Sequence, residues 1–370
     1  MRVLFAGGGT GGHLYPALAI AKYLRRTRTD FECLFLGTTS GLEGEIVPRE
    51  GFPLRVIPGS GFRRLGLTAR LRFFWTLLRG FFAALVIVRR FAPDVVLASG
   101  GYASLAGGLA AVALRRPLCV QEQNSVPGLA ARLLGALARQ VFVAFPGTEK
   151  AFRRPERVHC VGNPVREELL GEVRALDGLP TGQPVVLVLG GSRGARSINR
   201  AVEAAVPLLA PRRRVTWLWQ TGRLDHEALA PRWAQHPDVR LWDYLSDVGA
   251  AYVSATLLVC RAGAMTLAEI TALGKPALLV PFPGAVDDHQ TANARHLVER
   301  GAAVLVPDAE LDGARLADEI ERLLSAPEAL ARMAAQSHAL GPRDATAHIA
   351  GALLQVAGVE PRGEVDVRAS

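Results

Sequence analysis

The chain has 370 residues, 49% of them apolar, which is enough for two α/β domains of ordinary size and too apolar for a disordered chain. Its formal charge of +9 comes almost entirely from arginine, since Lys22, Lys150 and Lys275 are the only lysines; that balance favours an anionic partner and equally reflects GC-rich coding. The four cysteines lie far apart beside apolar runs without metal-ligand spacing, and the longest apolar run, GFFAALVIV between Arg79 and Arg89, is short of the ~20 residues a spanning helix needs, so a disulfide framework, a zinc site and a membrane span are all excluded.

In chain order, RVLFA (2–6) predicts a buried strand, followed by the glycine loop GGGTGGH (7–13) and a helix from about His13. Glycines interrupt the apolar start after Ala6, so no signal peptide is expected. FECLFLG (31–37) and LRVI (54–57) read as strands and are followed by a long helix. Three more strands, DVVLAS (94–99), PLCVQE (117–122) and QVFVAF (140–145), alternate with helices. The pattern restarts at PVVLVLGGSRGARSIN (184–199) and runs on through RVTWLWQ (214–220), VRLWD (239–243), TLLVCRAG (256–263), PALLVPF (276–282) and AAVLVP (302–307). Such alternation implies parallel sheets with helices on both faces. VLFAGGGTGGH and VLVLGGSRGAR open the two halves with the same strand, turn and helix. The expected fold is therefore α/β, two Rossmann-like doubly wound domains facing each other across a cleft. Residues 1–162 form the first domain and 163–340 the second, joined near VGNPVREEL, where Asn163 and Pro164 break the pattern. A helix within 341–358 is expected to pack back on the first domain, and 359–370 to be a disordered tail.

The first glycine loop fits G-x-G-x-x-G at Gly7, Gly9 and Gly12. Glycines after a buried strand let bare N–H groups approach a ligand, and the next helix adds a partial positive charge. A dinucleotide site also needs an acid at the end of the second strand to hold a ribose. Here that strand ends in Gly37, Thr38 and Thr39, while Asp30 and Glu32 stand at its beginning, on the wrong edge. The loop therefore reads as an anion or sugar seat. His13, at the carboxyl end of the strand, is placed to project toward a ligand and, with a reference pKa of ~6.5, to accept a proton near neutrality; the alternative is a residue bonded to a neighbouring carbonyl.

In the second half LGGSRGARSIN repeats the anion-seat pattern with Ser192 at the turn. VCRAGAMTLAEI gives a strand, Arg261, a glycine turn and a helix whose first amides can cradle a diphosphate. Glu269 on that helix can accept from ribose hydroxyls, or simply complement the helix dipole. PFPGAVDDHQTANA supplies Asp288, His289, Gln290 and Asn293 for sugar hydroxyls, with Asp287 or Asp288 expected to cap the next helix.

Together GGGTGGH, SGGYAS, EQNSVPG, VGNPVR, GGSRGARSIN, RAGAMTLAEI and DDHQTANA resemble, in order and over nearly the whole chain, the MurG family of bacterial glycosyltransferases, glycosyltransferase family 28. The resemblance implies the GT-B fold and an inverting transfer of N-acetylglucosamine (GlcNAc) from UDP-GlcNAc to the MurNAc 4-hydroxyl of lipid I, giving lipid II. It further implies that Thr10, Gly11, Gly12, Asn124, Arg166, Ser192, Leu245, Ala264, Met265, Thr266, Leu267, Ala268, Glu269 and Gln290 contact the donor, Leu245 through its backbone at the uracil. His13 is the candidate base, with Glu122, Tyr102 and Asn124 positioning the acceptor or sharing that role. Helix N-termini with Arg166 and Arg261 would stabilise the departing diphosphate. No Asp-x-Asp follows a strand in a loop, so neither a catalytic metal nor a cofactor is implied.

The stretch 61–90 mixes arginine with aromatic residues: Phe62, Arg63, Arg64, Arg70, Arg72, Phe74, Trp75 and Arg79. Part of it must face a core. A few basic residues at ~1 kcal/mol each with an inserted aromatic would nonetheless give reversible docking on an anionic membrane. Peripheral attachment to the cytoplasmic face of the cell membrane is therefore expected. Two other classes share some features. A UDP-GlcNAc 2-epimerase has the same architecture but needs no lipid acceptor, and a basic nucleic-acid-binding protein explains the charge but not two glycine loops; nucleic acid is not an expected partner.

Overall fold

The computed structural model describes all residues except Ser40, 60–66, Ser192, Arg193, 342–343 and 360–370, and for 67–74 the backbone alone. Phe62, Arg63, Arg64, Ser192 and residues 360–370 of the expected disordered tail thus lie outside the described residues, as do the side chains of Arg70, Arg72 and Phe74; Val359, the first residue of that tail, instead donates its N–H to the Leu354 carbonyl and packs on the core. The chain divides into two compact units, Met1–Arg166 with Arg343–Ser370, and Glu167–Pro342.

The first unit is a seven-stranded parallel sheet. Its strands are β1 (Arg2–Ala6), β2 (Glu32–Thr38), β3 (Leu54–Ile57), β4 (Val95–Ala98), β5 (Leu118–Glu122), β6 (Gln140–Val143) and β7 (Val158–Cys160), in the spatial order β3-β2-β1-β4-β5-β6-β7. Its helices are α1 (Gly11–Thr27), α2 (Glu43–Arg49), α3 (Leu67–Phe91), α4 (Gly101–Ala113) and α5 (Leu129–Gly135). The central strands β1 and β4 are continuous apolar runs because both faces are covered. Along β1, Leu4 and Ala6 join one core with Ala84 and Val88 of α3, Ala103 and Ala106 of α4 and Leu134 of α5. Val3 and Phe5 point the other way, into a core with Leu14, Leu18 and Ile20 of α1.

The second unit is a six-stranded parallel sheet. Strands β8 (Val185–Leu189), β9 (Thr216–Gln220), β10 (Val239–Trp242), β11 (Leu257–Cys260), β12 (Ala277–Leu279) and β13 (Val304–Leu305) run in the order β10-β9-β8-β11-β12-β13. Helices α6 (Arg196–Leu209), α7 (Arg223–Trp233), α8 (Val248–Ser254), α9 (Ala264–Ala272), α10 (His289–Val298), α11 (Gly313–Leu324) and α12 (Pro327–Leu340) complete it. The last helix, α13 (Ala345–Val356), belongs to the first unit, where Ile349, Ala350, Leu353 and Leu354 enter the core beside α1. Two Rossmann-like parallel sheets are thus present, as the strand and helix alternation predicts.

Both sheets reverse direction of growth at one place, between β1 and β4 and between β8 and β11. At such a switch point the loops leaving the two central strands diverge and open a crevice above their carboxyl ends, where ligands bind in open α/β sheets. Four of the loops singled out from sequence follow these strands: 7–10 and 99–100 in the first unit and, of the described residues, 190–191 with 194–195 and 261–263 in the second. Strand β7 was not read from sequence. It is three residues long, pairs only with β6 at the sheet edge, and shows no fully buried side chain from which a period could be recognised.

Candidate active site

In the first unit the switch-point crevice is built around His13. Thr10 is the N-cap of α1, followed by Gly11, Gly12 and His13 in its first turn, so the helix begins two residues earlier than the apolar pattern suggests. His13 Nδ1 lies 3.1 Å from the Gly8 carbonyl and 3.4 Å from Thr10 Oγ1. A carbonyl only accepts, so Nδ1 carries the proton and Nε2 is left as the accepting nitrogen. The ring rests on the SGGY loop: a Cβ at Gly100 would stand 2.6 Å from His13 Cδ2 and 2.8 Å from Nε2. Gly100 has φ 106°, a conformation side chains disfavour, so that position is fit for glycine on both counts.

The other candidates for proton transfer have different surroundings. Glu122 is buried at the end of β5, where Oε1 accepts from Asn124 N–H (2.9 Å) and Asn124 Nδ2 (3.2 Å) and Oε2 from Gly128 N–H (2.9 Å). Its carboxylate folds the EQNSVPG loop and orients Asn124. Tyr102 Oη donates to the Thr76 carbonyl of α3 at 2.6 Å, and burial raises its pKa, so it stands as a neutral donor. Arg166 lies with its guanidinium carbon 6.0 Å from the centre of the Tyr15 ring. The structure therefore brings Thr10, Gly11, Gly12, His13, Tyr102, Glu122 and Asn124 to the ends of the central strands.

One residue there was missed. The acid that the end of β2 lacks arrives from α2: Glu43, 1% exposed, accepts from Gly9 N–H and Thr38 N–H, each at 2.7 Å, and from Thr38 Oγ1 at 3.0 Å. One amide of the glycine loop, Gly9 N–H, is thus met by the protein's own carboxylate. Gly37, read as a sign that no acid was present, is what admits it, since a Cβ there would overlap the Glu43 side chain.

In the second unit α9 starts at Ala264 behind Gly263, which makes no side-chain cap, so its first amides, on Ala264, Met265 and Thr266, point out of the helix end. Leu267 is buried and Ala268 half-buried in the following turn. Glu269 stands beyond the first turn, too far along to be explained by the helix dipole, and Tyr252 Oη donates to its Oε2 at 2.9 Å. Arg261 is turned to the protein: it donates to the carbonyls of Val280 and Pro281, to Ser197 Oγ and to Asp308, and lies against Phe282. It pins the β12–α10 loop beside α9. Gln290 Oε1 accepts from Phe282 N–H at 2.9 Å, closing that loop from its far side. Asp288 is the N-cap of α10, as expected of Asp287 or Asp288, but its side chain makes no cap hydrogen bond, for a geometric reason. Both have left-handed backbones, φ 51° and 50°, and the Asp288 carboxylate takes the Thr291 hydroxyl at 2.7 Å instead of a backbone amide.

A second missed residue is Gln220 at the end of β9. Its Oε1 accepts from Leu245 N–H at 3.2 Å and its Nε2 donates to the Gly191 carbonyl at 3.0 Å, tying the turn that holds Leu245 to the glycine loop. A polar residue closing an apolar strand, TWLWQ, is the signal that was available.

Comparison with known proteins bears on both units. Residues 3–143 match the N-terminal domain of glycosyltransferase family 28 and residues 185–349 its C-terminal domain. A protein of Nitrosococcus oceani named UDP-N-acetylglucosamine--N-acetylmuramyl-(pentapeptide) pyrophosphoryl-undecaprenol N-acetylglucosamine transferase is 47% identical over 363 residues, 96% of this chain and 99% of that one. Among solved structures, MurG of Acinetobacter baumannii superposes with a TM-score of 0.77 at 29% identity, over 96% of this chain and 99% of that one. A Listeria monocytogenes protein described as a UDP-N-acetylglucosamine 2-epimerase gives a TM-score of 0.70 at 16% identity, over 98% of each chain, and shares the fold alone.

Proposed function

The chain belongs to glycosyltransferase family 28, and from that premise we propose that it moves GlcNAc from UDP-GlcNAc to the MurNAc 4-hydroxyl of lipid I, releasing UDP and giving lipid II in peptidoglycan synthesis. The observation that carries the chemistry is His13. With Nδ1–H given to the Gly8 carbonyl, Nε2 is the atom available to take a proton. The 4-hydroxyl attacks C1 of GlcNAc and loses its proton to Nε2; the C4–O–C1 bond forms as the bond from C1 to the diphosphate oxygen breaks, with inversion at C1, and the electron pair leaves with UDP. Charge growing on that diphosphate is met by the amides at the start of α9, and the oriented Glu269 carboxylate accepts from the ribose hydroxyls. Leu245 contacts the uracil through its backbone and Gln290 the sugar. Thr10, Gly11, Gly12, Asn124 and Arg166 keep the donor contacts that family resemblance assigns them. Arg261 serves by holding the adjoining loop, and Glu122 and Tyr102 by fixing the loops and helix beside His13.

An acceptor carried on a polyprenyl chain requires access to a membrane surface. Among the described residues no helix is long and apolar enough to cross a bilayer. On α3, Trp75, Arg79, Phe82, Val86 and Arg90 follow helical spacing along one exposed face, with Trp75 64% and Phe82 60% exposed, while Gly80, Ala84 and Val88 turn to the core. That stripe supports peripheral docking at an anionic cytoplasmic face.

Transfer of labelled GlcNAc to a lipid I analogue tests the assignment. His13→Ala is expected to lower turnover by ~10²–10⁴-fold while UDP still binds. Full turnover in that variant would refute the base. Epimer formation from UDP-GlcNAc alone would favour the 2-epimerase reading. Binding to anionic vesicles that neither salt nor Trp75→Ala with Phe82→Ala weakens would refute the docking face.

A further inference from the structure

We propose that Glu43 is a positioning residue that acts on His13 through the Gly8–Gly9 peptide group; the inference rests on the reading of His13 as the base. A peptide is a rigid plane with a donor at one end and an acceptor at the other. Here the Glu43 carboxylate takes the donor end, Gly9 N–H, at 2.7 Å, and His13 Nδ1 addresses the acceptor end, the Gly8 carbonyl, at 3.1 Å. The order is carboxylate, peptide, imidazole. Glu43 therefore stands to His13 as a carboxylate bonded directly to a histidine stands to its ring in other enzymes, with one amide interposed.

Three consequences follow from elementary chemistry. Fixing the peptide plane fixes the direction of the carbonyl, and with it the rotation of the ring. Holding Nδ1 as the donor selects the tautomer in which Nε2 is unprotonated. A negative charge on the N–H end polarises the amide and makes its carbonyl a better acceptor, so the positive charge that the ring gains with the sugar's proton is better stabilised.

The carboxylate is itself held tightly. Oε1 accepts from Thr38 N–H and Oγ1 at the end of β2, and the side chain is 1% exposed. Gly8, Gly37 and Gly41 crowd it so closely that a Cβ on any of them would overlap it. A structural salt-bridge role is not what brings it here: one oxygen is directed to the amide of Gly9 in the loop after β1 and the other to that of Thr38 at the end of β2.

The test uses Glu43→Gln in the full chain. Glutamine keeps the size but has one acceptor oxygen for two amides, so either Gly9 or Thr38 meets an NH2 group. We expect turnover to fall ~10–100-fold, in the range of residues that orient a functional histidine, with KM for UDP-GlcNAc changing less than twofold and Glu43→Asp recovering part of the loss. Two-bond 1H–15N correlation spectra of the imidazoles, with His13 assigned from its loss in His13→Gln, should show the Nδ1–H tautomer in the native chain and its partial loss in Glu43→Gln. Wild-type turnover in a folded Glu43→Gln variant, or an unchanged His13 spectrum, would overturn the proposal. Should that variant not fold, the native spectrum decides, since an Nε2–H tautomer contradicts the arrangement. Failure of the base reading looks different: His13→Gln would then keep its turnover whatever the spectra show.

Discussion

Replacing Gly100 with alanine should impair transfer through His13 and not through the fold at large. The new Cβ would stand 2.6 Å from His13 Cδ2 and 2.8 Å from Nε2, where unstrained carbon contacts lie at about 3.5–4.0 Å, so the ring must withdraw by about 1 Å. A shift of that size at a reacting group costs on the order of 10² in rate, about 2.7 kcal/mol of barrier. The backbone at φ 106° adds a separate strain of about 1–3 kcal/mol, which appears as lower stability. Initial rates of GlcNAc transfer, measured beside a thermal melt, separate the two. Because the rate effect passes through the ring, Gly100→Ala added to His13→Ala should slow the enzyme no further than His13→Ala alone. A folded Gly100→Ala variant with native turnover, or a double variant slowed by the product of the two single effects, would refute the reasoning.

Tyr102→Phe removes one hydroxyl from the Thr76 carbonyl and should cost about 1 kcal/mol in denaturant unfolding while turnover stays within about threefold; because burial raises the phenol's pKa, it stays protonated through neutral pH and adds no limb to the pH–rate profile. A tenfold loss of turnover would return Tyr102 to the chemistry. Glu269→Ala should raise KM for UDP-GlcNAc by about tenfold or more, and Tyr252→Phe by a smaller factor that vanishes when Glu269 is already alanine, as steady-state kinetics on the two singles and the double will show. Burial pushes the thiols of Cys119 and Cys260 up to about 12, so below that pH they remain protonated. Iodoacetamide followed by peptide mass mapping should therefore mark exposed Cys160 first and reach Cys119 and Cys260 only in denaturant; early labelling of either would contradict the packing.

The sheets were legible because each central strand is buried on both faces and so reads as an unbroken apolar run with a glycine within the next three residues. RVLFA, DVVLAS, PVVLVL and TLLVC became β1, β4, β8 and β11, the four strands that flank the switch points. The edge triplet Val158–Cys160, with no buried side chain, carries no period. Local chemistry was legible as residue type but not as direction. Asp287 and Asp288 looked like caps, yet a left-handed backbone turns Asp288 toward Thr291. Arg261 looked like a group for a diphosphate, yet its partners are two carbonyls, Ser197 and Asp308, the last 47 residues away in sequence.

Glu43 shows why spacing alone could not settle the first glycine loop. A dinucleotide fold is recognised by an acid at the tip of β2, and in the chain none stands there. In space one does, because Gly37 and Gly41 leave room for a side chain from the start of α2 to fold back between them. An acid in the β2 tip itself projects outward and offers its oxygens to a ribose. Entering from α2, the carboxylate points inward and takes Gly9 N–H and Thr38 N–H. The glycine fingerprint thereby gives one amide to Glu43 and one carbonyl to His13, while in the second unit α9 begins with its first amides directed out of the helix end. Glycine spacing alone therefore does not say whether a loop amide is open to an anion; at Gly9 that depends on a residue in a different element.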